Sequence, residues 1–221
     1  MNTPIMIINF KAYKKSTGKN GLELALAADK AAKKTGKSIA IAVPAEDIRM
    51  IAEHVSIPVL AEHVDDESYG PHTGSIIPEA VKEAGAVGSL INHAEKEISD
   101  EEVEITVKKC KELGLITVVC ANTKEDSERL SRFKPDFIAV EPPELIGGDI
   151  SVSSAQPEVV TDTVKLVNEA SGVPVLCGAG VKTKEDISKS LELGAKGVLL
   201  ASGVDKADNP YEKIMELLEG M

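Results

Sequence analysis

Three short segments hold residue types that can move protons. Asn9-Phe10-Lys11 closes one apolar run, Asn92-His93-Ala94-Glu95 closes another, and Glu141 directly follows a third. A lysine at such a place is most often a solvated surface residue, and a lone histidine more often a structural hydrogen-bonder. Glu141 is harder to read that way. Pro142 and Pro143 fix the chain behind it, and a carboxylate partly withdrawn from water suits a general base. Two further segments, Cys177-Gly178-Ala179-Gly180 and Ala201-Ser202-Gly203, contain neither Lys nor Arg. Small residues make tight turns, and they also let backbone amides close around a phosphate.

Such residues act together only if the chain brings them to one place. Apolar runs rich in Val and Ile stand at 5–9, 39–43, 58–61, 87–91, 116–120, 137–140, 173–177 and 198–200, separated by longer amphipathic segments. They are apolar on both faces, as parallel strands covered by helices must be. Asn20 with Glu23 and Ser99 with Glu102 read as capping boxes. Gly36, Gly114 and Gly194 read as the glycines that end helices. Eight strand–helix units in 221 residues average about 28 residues each, enough for a (β/α)8 barrel. Polar or glycine-rich clusters follow runs 1, 4, 6, 7 and 8, and a closed barrel gathers them all at one mouth. An open doubly wound sheet would scatter them, and the GxGxxG of a dinucleotide fold is absent after the first run.

Internal echoes fit the same spacing. Thr123-Lys124-Glu125-Asp126 recurs as Thr183-Lys184-Glu185-Asp186, about two units later. Ile57-Pro58-Val59-Leu60 recurs as Val173-Pro174-Val175-Leu176, and Gly85-Ala86-Val87-Gly88 as Gly194-Ala195-Lys196-Gly197. These two are displaced by 116 and 109 residues, close to four units. No linker or shift of composition divides the chain, so residues 1–221 are expected to form one domain.

Hydrophobic residues make up 43% of the chain, but aromatics only 3% and Trp is absent, so the core must be aliphatic. A net charge of −11 repels nucleic acid and anionic membranes. Any anionic substrate then needs a local cradle. No apolar run reaches the 18 residues of a membrane span, and Met1-Asn2-Thr3-Pro4 leads straight into the first run without a basic leader. Cys110, Cys120 and Cys177 form no CxxC pair, so neither a disulfide framework nor a zinc site is expected. The expected compartment is the reducing cytoplasm, with no metal or cofactor required.

Taken together and in this order, Asn9-Phe10-Lys11, Asn92-His93-Ala94-Glu95 and Glu141-Pro142 through Ile146-Gly147 resemble the three signature segments of the triosephosphate isomerase family. The short chain and the wording Glu141-Pro142-Pro143-Glu144-Leu145-Ile146-Gly147 resemble its compact archaeal-type branch. The resemblance implies a TIM barrel that interconverts dihydroxyacetone phosphate and D-glyceraldehyde 3-phosphate through an enediol(ate), without cofactor, in glycolysis and gluconeogenesis. It implies Glu141 as the base, His93 as a neutral imidazole polarising the carbonyl, and Lys11 as the cation stabilising the oxyanion. Asn9 and Phe10 would join Lys11 in binding the substrate, Asn9 would support Lys11, and Glu95 would position it. Backbone amides near Ile146, Gly180, Ala201 and Ser202 would hold the phosphate.

Departures from the family are also visible. The usual lid Trp is missing at Pro143-Glu144-Leu145, and the seventh and eighth loops lack the usual Gly-Gly-Ser and Gly-Gly. Rigid prolines at one end and Gly147-Gly148 at the other still frame a segment suited to a lid. His93 is expected to stay neutral because it stands just before a helix start, whose dipole disfavours added positive charge. Thr73, within 65–75, resembles the loop that reaches a neighbouring subunit near its Lys, which implies a homo-oligomer, a tetramer over a dimer. Two alternatives remain: an aldolase using Lys11 as a Schiff-base amine, separable by borohydride trapping, and an inactive barrel kept as a binding scaffold.

Overall fold

The eight apolar runs become eight parallel strands that close on themselves. In a computed structural model, which describes residues 1–146, 151–205 and 207–221, the strands are β1 (Ile5–Asn9), β2 (Ser38–Val43), β3 (Val59–Ala61), β4 (Gly88–Ile91), β5 (Ile116–Ala121), β6 (Phe137–Val140), β7 (Val175–Cys177) and β8 (Gly197–Leu200). Each pairs with the next, and β8 returns to β1. The bounds follow the apolar runs to within two residues. Pro58 and Pro174 fall just outside β3 and β7, because proline has no N–H for the ladder. The helices between the strands are α1 (Gly18–Thr35), α2 (Ile48–Ala52), α3 (Pro78–Glu83), α4 (Asp100–Glu112) and α5 (Lys124–Ser131). They continue as α6 (Val152–Ala155), α7 (Pro157–Ala170), α8 (Lys184–Glu192), α9 (Ser202–Asp205) and α10 (Pro210–Leu218).

Alternation along the strands divides the core. Ile5, Ile7, Ala40, Ala42, Leu60, Leu90, Val118, Phe137, Ala139, Leu176 and Leu199 form one cluster that fills the barrel. Their neighbours Met6, Ile8, Ile39 and Ile41 pack in a second cluster with the helices. The period of two has a consequence for function. Counted one step past the inward residues, it places Asn9, Glu62, Asn92, Glu141 and Gly178 at the C-terminal mouth.

The echoes are structural equivalents. Thr123 and Thr183 both N-cap their helices, accepting from the amides of Asp126 and Asp186. The carbonyls of Pro58 and Pro174, one before β3 and one before β7, each accept from the strand before, from Ile41 and Ile138, at 3.0 Å. The third echo, Gly85–Gly88 and Gly194–Gly197, leads into β4 and β8, four strands apart. Ser99 and Glu102 form the full capping box of α4, and Gly36, Gly114 and Gly194 all have positive φ beside helix ends. Asn20 is a correction: α1 begins at Gly18, and Asn20 Nδ2 donates to the Lys14 carbonyl at 2.7 Å. The Gly18 amide is met instead by Asp47 Oδ2 at 2.7 Å, a partner 29 residues away that local spacing cannot show.

Candidate active site

Asn9 ends β1 with its side chain buried, and its Oδ1 accepts the Lys11 amide at 3.1 Å. That bond helps hold Lys11 at φ 51, a left-handed conformation rare for a side chain with Cβ. Lys11 Nζ then donates to Glu95 Oε1 at 2.7 Å. Phe10, between them, is fully buried; its amide donates to the Ala42 carbonyl and its own carbonyl accepts from Ser16 Oγ. It anchors the turn from below and does not line the cavity.

At the end of β4, Asn92 also takes a left-handed conformation, φ 61. Its Nδ2 donates to the Cys120 carbonyl at 3.1 Å and its Oδ1 accepts the Ile98 amide at 3.0 Å, so the turn carrying His93 is pinned on both sides. His93 Nδ1 accepts the Glu95 amide at 3.1 Å. An accepting Nδ1 carries no proton, so a neutral ring bears its proton on Nε2. The helix expected to act on His93 is not adjacent, since α4 begins at Asp100. The Glu95 amide, not a helix end, is what meets the ring at Nδ1.

Glu141 follows β6, buried, with its amide on the Ala121 carbonyl at 2.9 Å. Its Oε2 lies 3.7 Å from His93 Nε2, beyond hydrogen-bond reach, and is buried without a partner among the described residues. The carboxylate rests against Gly178: a Cβ there would stand 2.3 Å from Glu141 Cγ. It also borders the Cys120 thiol, which burial first and then this carboxylate push well above the ordinary thiol range. Pro143–Leu145 form a 3-10 turn, the Leu145 amide donating to the Pro142 carbonyl at 2.9 Å. The segment behind the base is therefore stiff. Gly147 and Gly148, the other end of the expected lid, lie outside the described residues.

Asn9, Lys11, His93, Glu141, Ile146, Gly180 and Ala201 line one small cavity, with Tyr13, Ala179, Val181, Leu199 and Leu200. The predicted residues from five strand ends do converge. Ala179 and Gly180 take consecutive left-handed conformations, φ 64 and 70, and Ser202 opens α9 directly after Ala201. Thr73 is exposed on the loop between β3 and α3, outside this cavity. A larger hollow of about 600 Å³, lined by residues 1–4, 36–39 and 56–58, lies at the opposite end, where the strands begin. None of the predicted proton-moving residues line it.

Two residues at the mouth have surroundings that the composition of their own segments does not show. Gly178 stands in a segment whose composition suits a phosphate loop, whereas its contact makes room for Glu141. Glu62 stands among Glu62-His63-Val64-Asp65, which has the composition of a solvated loop. Burial above all, with repulsion from Glu95 and Glu46 and partial relief from Lys11, pushes its carboxyl up to about 7. The inward alternation of β3, from Leu60 to Glu62, is the signal that points to it. Among the described residues no group of three His, Cys, Asp or Glu side chains is placed to hold a metal ion, and no helix is long and apolar enough to cross a membrane.

Comparison with known proteins bears on this arrangement. A family model described as triosephosphate isomerase matches residues 4–218. A triosephosphate isomerase of Methanocaldococcus jannaschii is 50% identical over 216 residues, 97% of this chain and 99% of its own. One from Methanobacterium bryantii is 49% identical over 217 residues, 98% of this chain and 96% of its own. Among solved structures, the crystal structure of triosephosphate isomerase from Bartonella henselae matches with a TM-score of 0.76 at 21% identity, covering 98% of this chain and 99% of that one. The last likeness is one of fold.

Proposed function

This chain belongs to the triosephosphate isomerase family, in its archaeal-type branch, and from that premise we propose how its barrel mouth interconverts dihydroxyacetone phosphate and D-glyceraldehyde 3-phosphate. Glu141 Oε2 takes the proton from one carbon and returns it to the next. The Nε2 proton of His93 polarises the carbonyl, and the Lys11 ammonium stabilises the oxygen that gains charge in the enediolate. Asn9 and Glu95 position Lys11. The phosphate is held by backbone amides near Ile146, Gly180, Ala201 and Ser202. The substrate supplies its own electrons and protons, so no cofactor is needed.

The observation that carries this reading is the placement of Glu141 Oε2, buried, unpartnered among the described residues and 3.7 Å from His93 Nε2. Leaving a buried oxygen unpaired costs roughly 1–3 kcal/mol, and here it keeps a base free for a carbon-bound proton. The adjacent imidazole can address the neighbouring oxygen of the same substrate. The aldolase alternative asks Lys11 for a free amine, but its Nζ is in a 2.7 Å ion pair with Glu95. An assay started from dihydroxyacetone phosphate and coupled to an aldehyde-consuming dehydrogenase tests the reading. Absence of turnover by the folded protein would overturn it.

The same reading extends to the setting of the enzyme: glycolysis and gluconeogenesis, in the cytoplasm, with residues 1–221 acting as one domain. Cys110, Cys120 and Cys177 are buried free thiols, as suits a reducing compartment. We also read the loop between β3 and α3 as an arm that reaches a neighbouring copy near its Lys11, in a homotetramer. Asp65 and Ile76 clamp its base through the Asp65 amide on the Ile76 carbonyl at 2.8 Å and the Ile76 amide on Asp65 Oδ2 at 2.6 Å. The arm presents Thr73 and Tyr69, the latter 70% exposed. Nucleic acid and membranes have no part in this function.

A further inference from the structure

We propose that Asp186 is a positioning residue for the phosphate grip, holding the Ala179-Gly180 turn in shape from the chain segments on either side of it. The inference rests on the reading of that turn as a phosphate site. An alanine at φ 64 beside a glycine at φ 70 persists only where the surroundings impose it. Two segments do so here. On one side the Val152 amide donates to the Ala179 carbonyl at 3.3 Å, and the preceding Ser151, buried, donates from Oγ to Asp186 Oδ1 at 2.5 Å. On the other side the amides of Lys182 and Thr183 donate to Asp186 Oδ2 at 3.0 and 2.9 Å. One carboxylate thus ties segment 151–152 to segment 182–183, and the turn lies between them.

A helix cap alone does not require this. The equivalent Asp126, in the same Thr-Lys-Glu-Asp wording, accepts from Thr123 and otherwise pairs with the half-exposed Arg129. It has no counterpart of Ser151 among the described residues. Asp186 keeps the cap and adds a bracket, reinforced by Ser153 Oγ on its backbone carbonyl at 3.2 Å. Burial opposes its charge, yet the bonds from Ser151, Lys182 and Thr183 hold the carboxyl below the usual range, so it accepts at every working pH.

The test compares Ser151→Ala and Asp186→Ala with Thr183→Ala, which removes the cap hydroxyl but leaves Ser151 in place. The first two should raise KM for dihydroxyacetone phosphate and Kd for 2-phosphoglycolate about tenfold, the scale of one hydrogen bond to a charged group. Their kcat should stay within about threefold. Thr183→Ala should lower Tm by about 2–4 °C and leave KM within about twofold. If Ser151→Ala and Asp186→Ala lower Tm but leave KM and Kd unchanged, Asp186 is only a cap and the inference is overturned. Should Asp186→Ala fail to fold, Ser151→Ala decides alone. In the wild type, 2-phosphoglycolate should shift the Gly180 amide resonance. Binding without that shift would remove the phosphate reading itself, and the inference with it, whatever the variants do.

Discussion

Residue type and strand-end position mark Glu141 as a candidate base, while Lys11 and His93 become legible only through the ordered resemblance of their segments to a known family, because singly each has a bland explanation. Their surroundings are not legible in the same way, since they depend on contacts across the barrel. Gly178 is the plainest case. A Cβ there would meet Glu141 Cγ at 2.3 Å, so Gly178→Ala should displace the base and lower kcat about a hundredfold, the usual cost of an ångström of misplacement. A kcat within about threefold of wild type would show that the glycine serves only its turn. For His93, the Glu95 amide on Nδ1 predicts that the neutral ring carries its proton on Nε2. Nitrogen NMR of labelled histidine would report the tautomer, and a neutral ring with its proton on Nδ1 would contradict it. Glu62 gives a prediction with a sign. Its folded-state value of about 7 lies above the ordinary 4.5, so the folded chain keeps a proton that the unfolded chain releases. Stability contributed by the protonated form is therefore lost as pH rises from about 4.5 through 7. Glu62→Gln cannot ionise and should be more stable than wild type at pH 8, by roughly 3 kcal/mol at most, and nearly equal at pH 4. Urea denaturation at the two pH values checks this; an identical difference at both would sink it.

At the scale of elements, local signals succeed where the partners are local. The Ser99–Glu102 box is complete, with the Glu102 amide on Ser99 Oγ at 3.3 Å and the Ser99 amide on Glu102 Oε2 at 2.6 Å. The pair Asn20–Glu23 has the same spacing and fails, because Asp47 reaches Gly18 from the connection after β2. The contrast is measurable. Ser99→Ala should cost about 1 kcal/mol and lower Tm by about 2–4 °C. Asn20→Ala, losing one exposed bond, should stay within about 0.5 kcal/mol. Neither should change kcat/KM. Equal losses at the two sites would mean that Asn20 caps α1 after all. The repeated tetrapeptides follow from the same physics: Pro58 and Pro174, four strands apart, and Thr123 and Thr183, two strands apart, recur because successive strand–helix units repeat the same ladder and cap problems.

The closed barrel as a whole is readable from spacing together with the strand-end clusters, since eight apolar runs each followed by a helix suit either an open or a closed parallel sheet, and only the closed one gathers those clusters at one mouth. Assembly is not readable in that way, because an interface involves surface that one chain leaves exposed. The proposed tetramer predicts a sedimenting species of four 23.4 kDa chains, and a monomer at micromolar concentration would contradict it. The larger claim is that this fold exists to hold Glu141 as a free base beside His93 while other groups grip the phosphate. It is tested most directly by measuring kcat and the Kd of 2-phosphoglycolate together for Glu141→Ala. The account predicts a kcat lower by several powers of ten with Kd changed by less than about tenfold, because the base acts on the transition state and the grip lies elsewhere. A kcat within about tenfold of wild type, little more than 1.4 kcal/mol of barrier, would place the base on another residue and contradict the account.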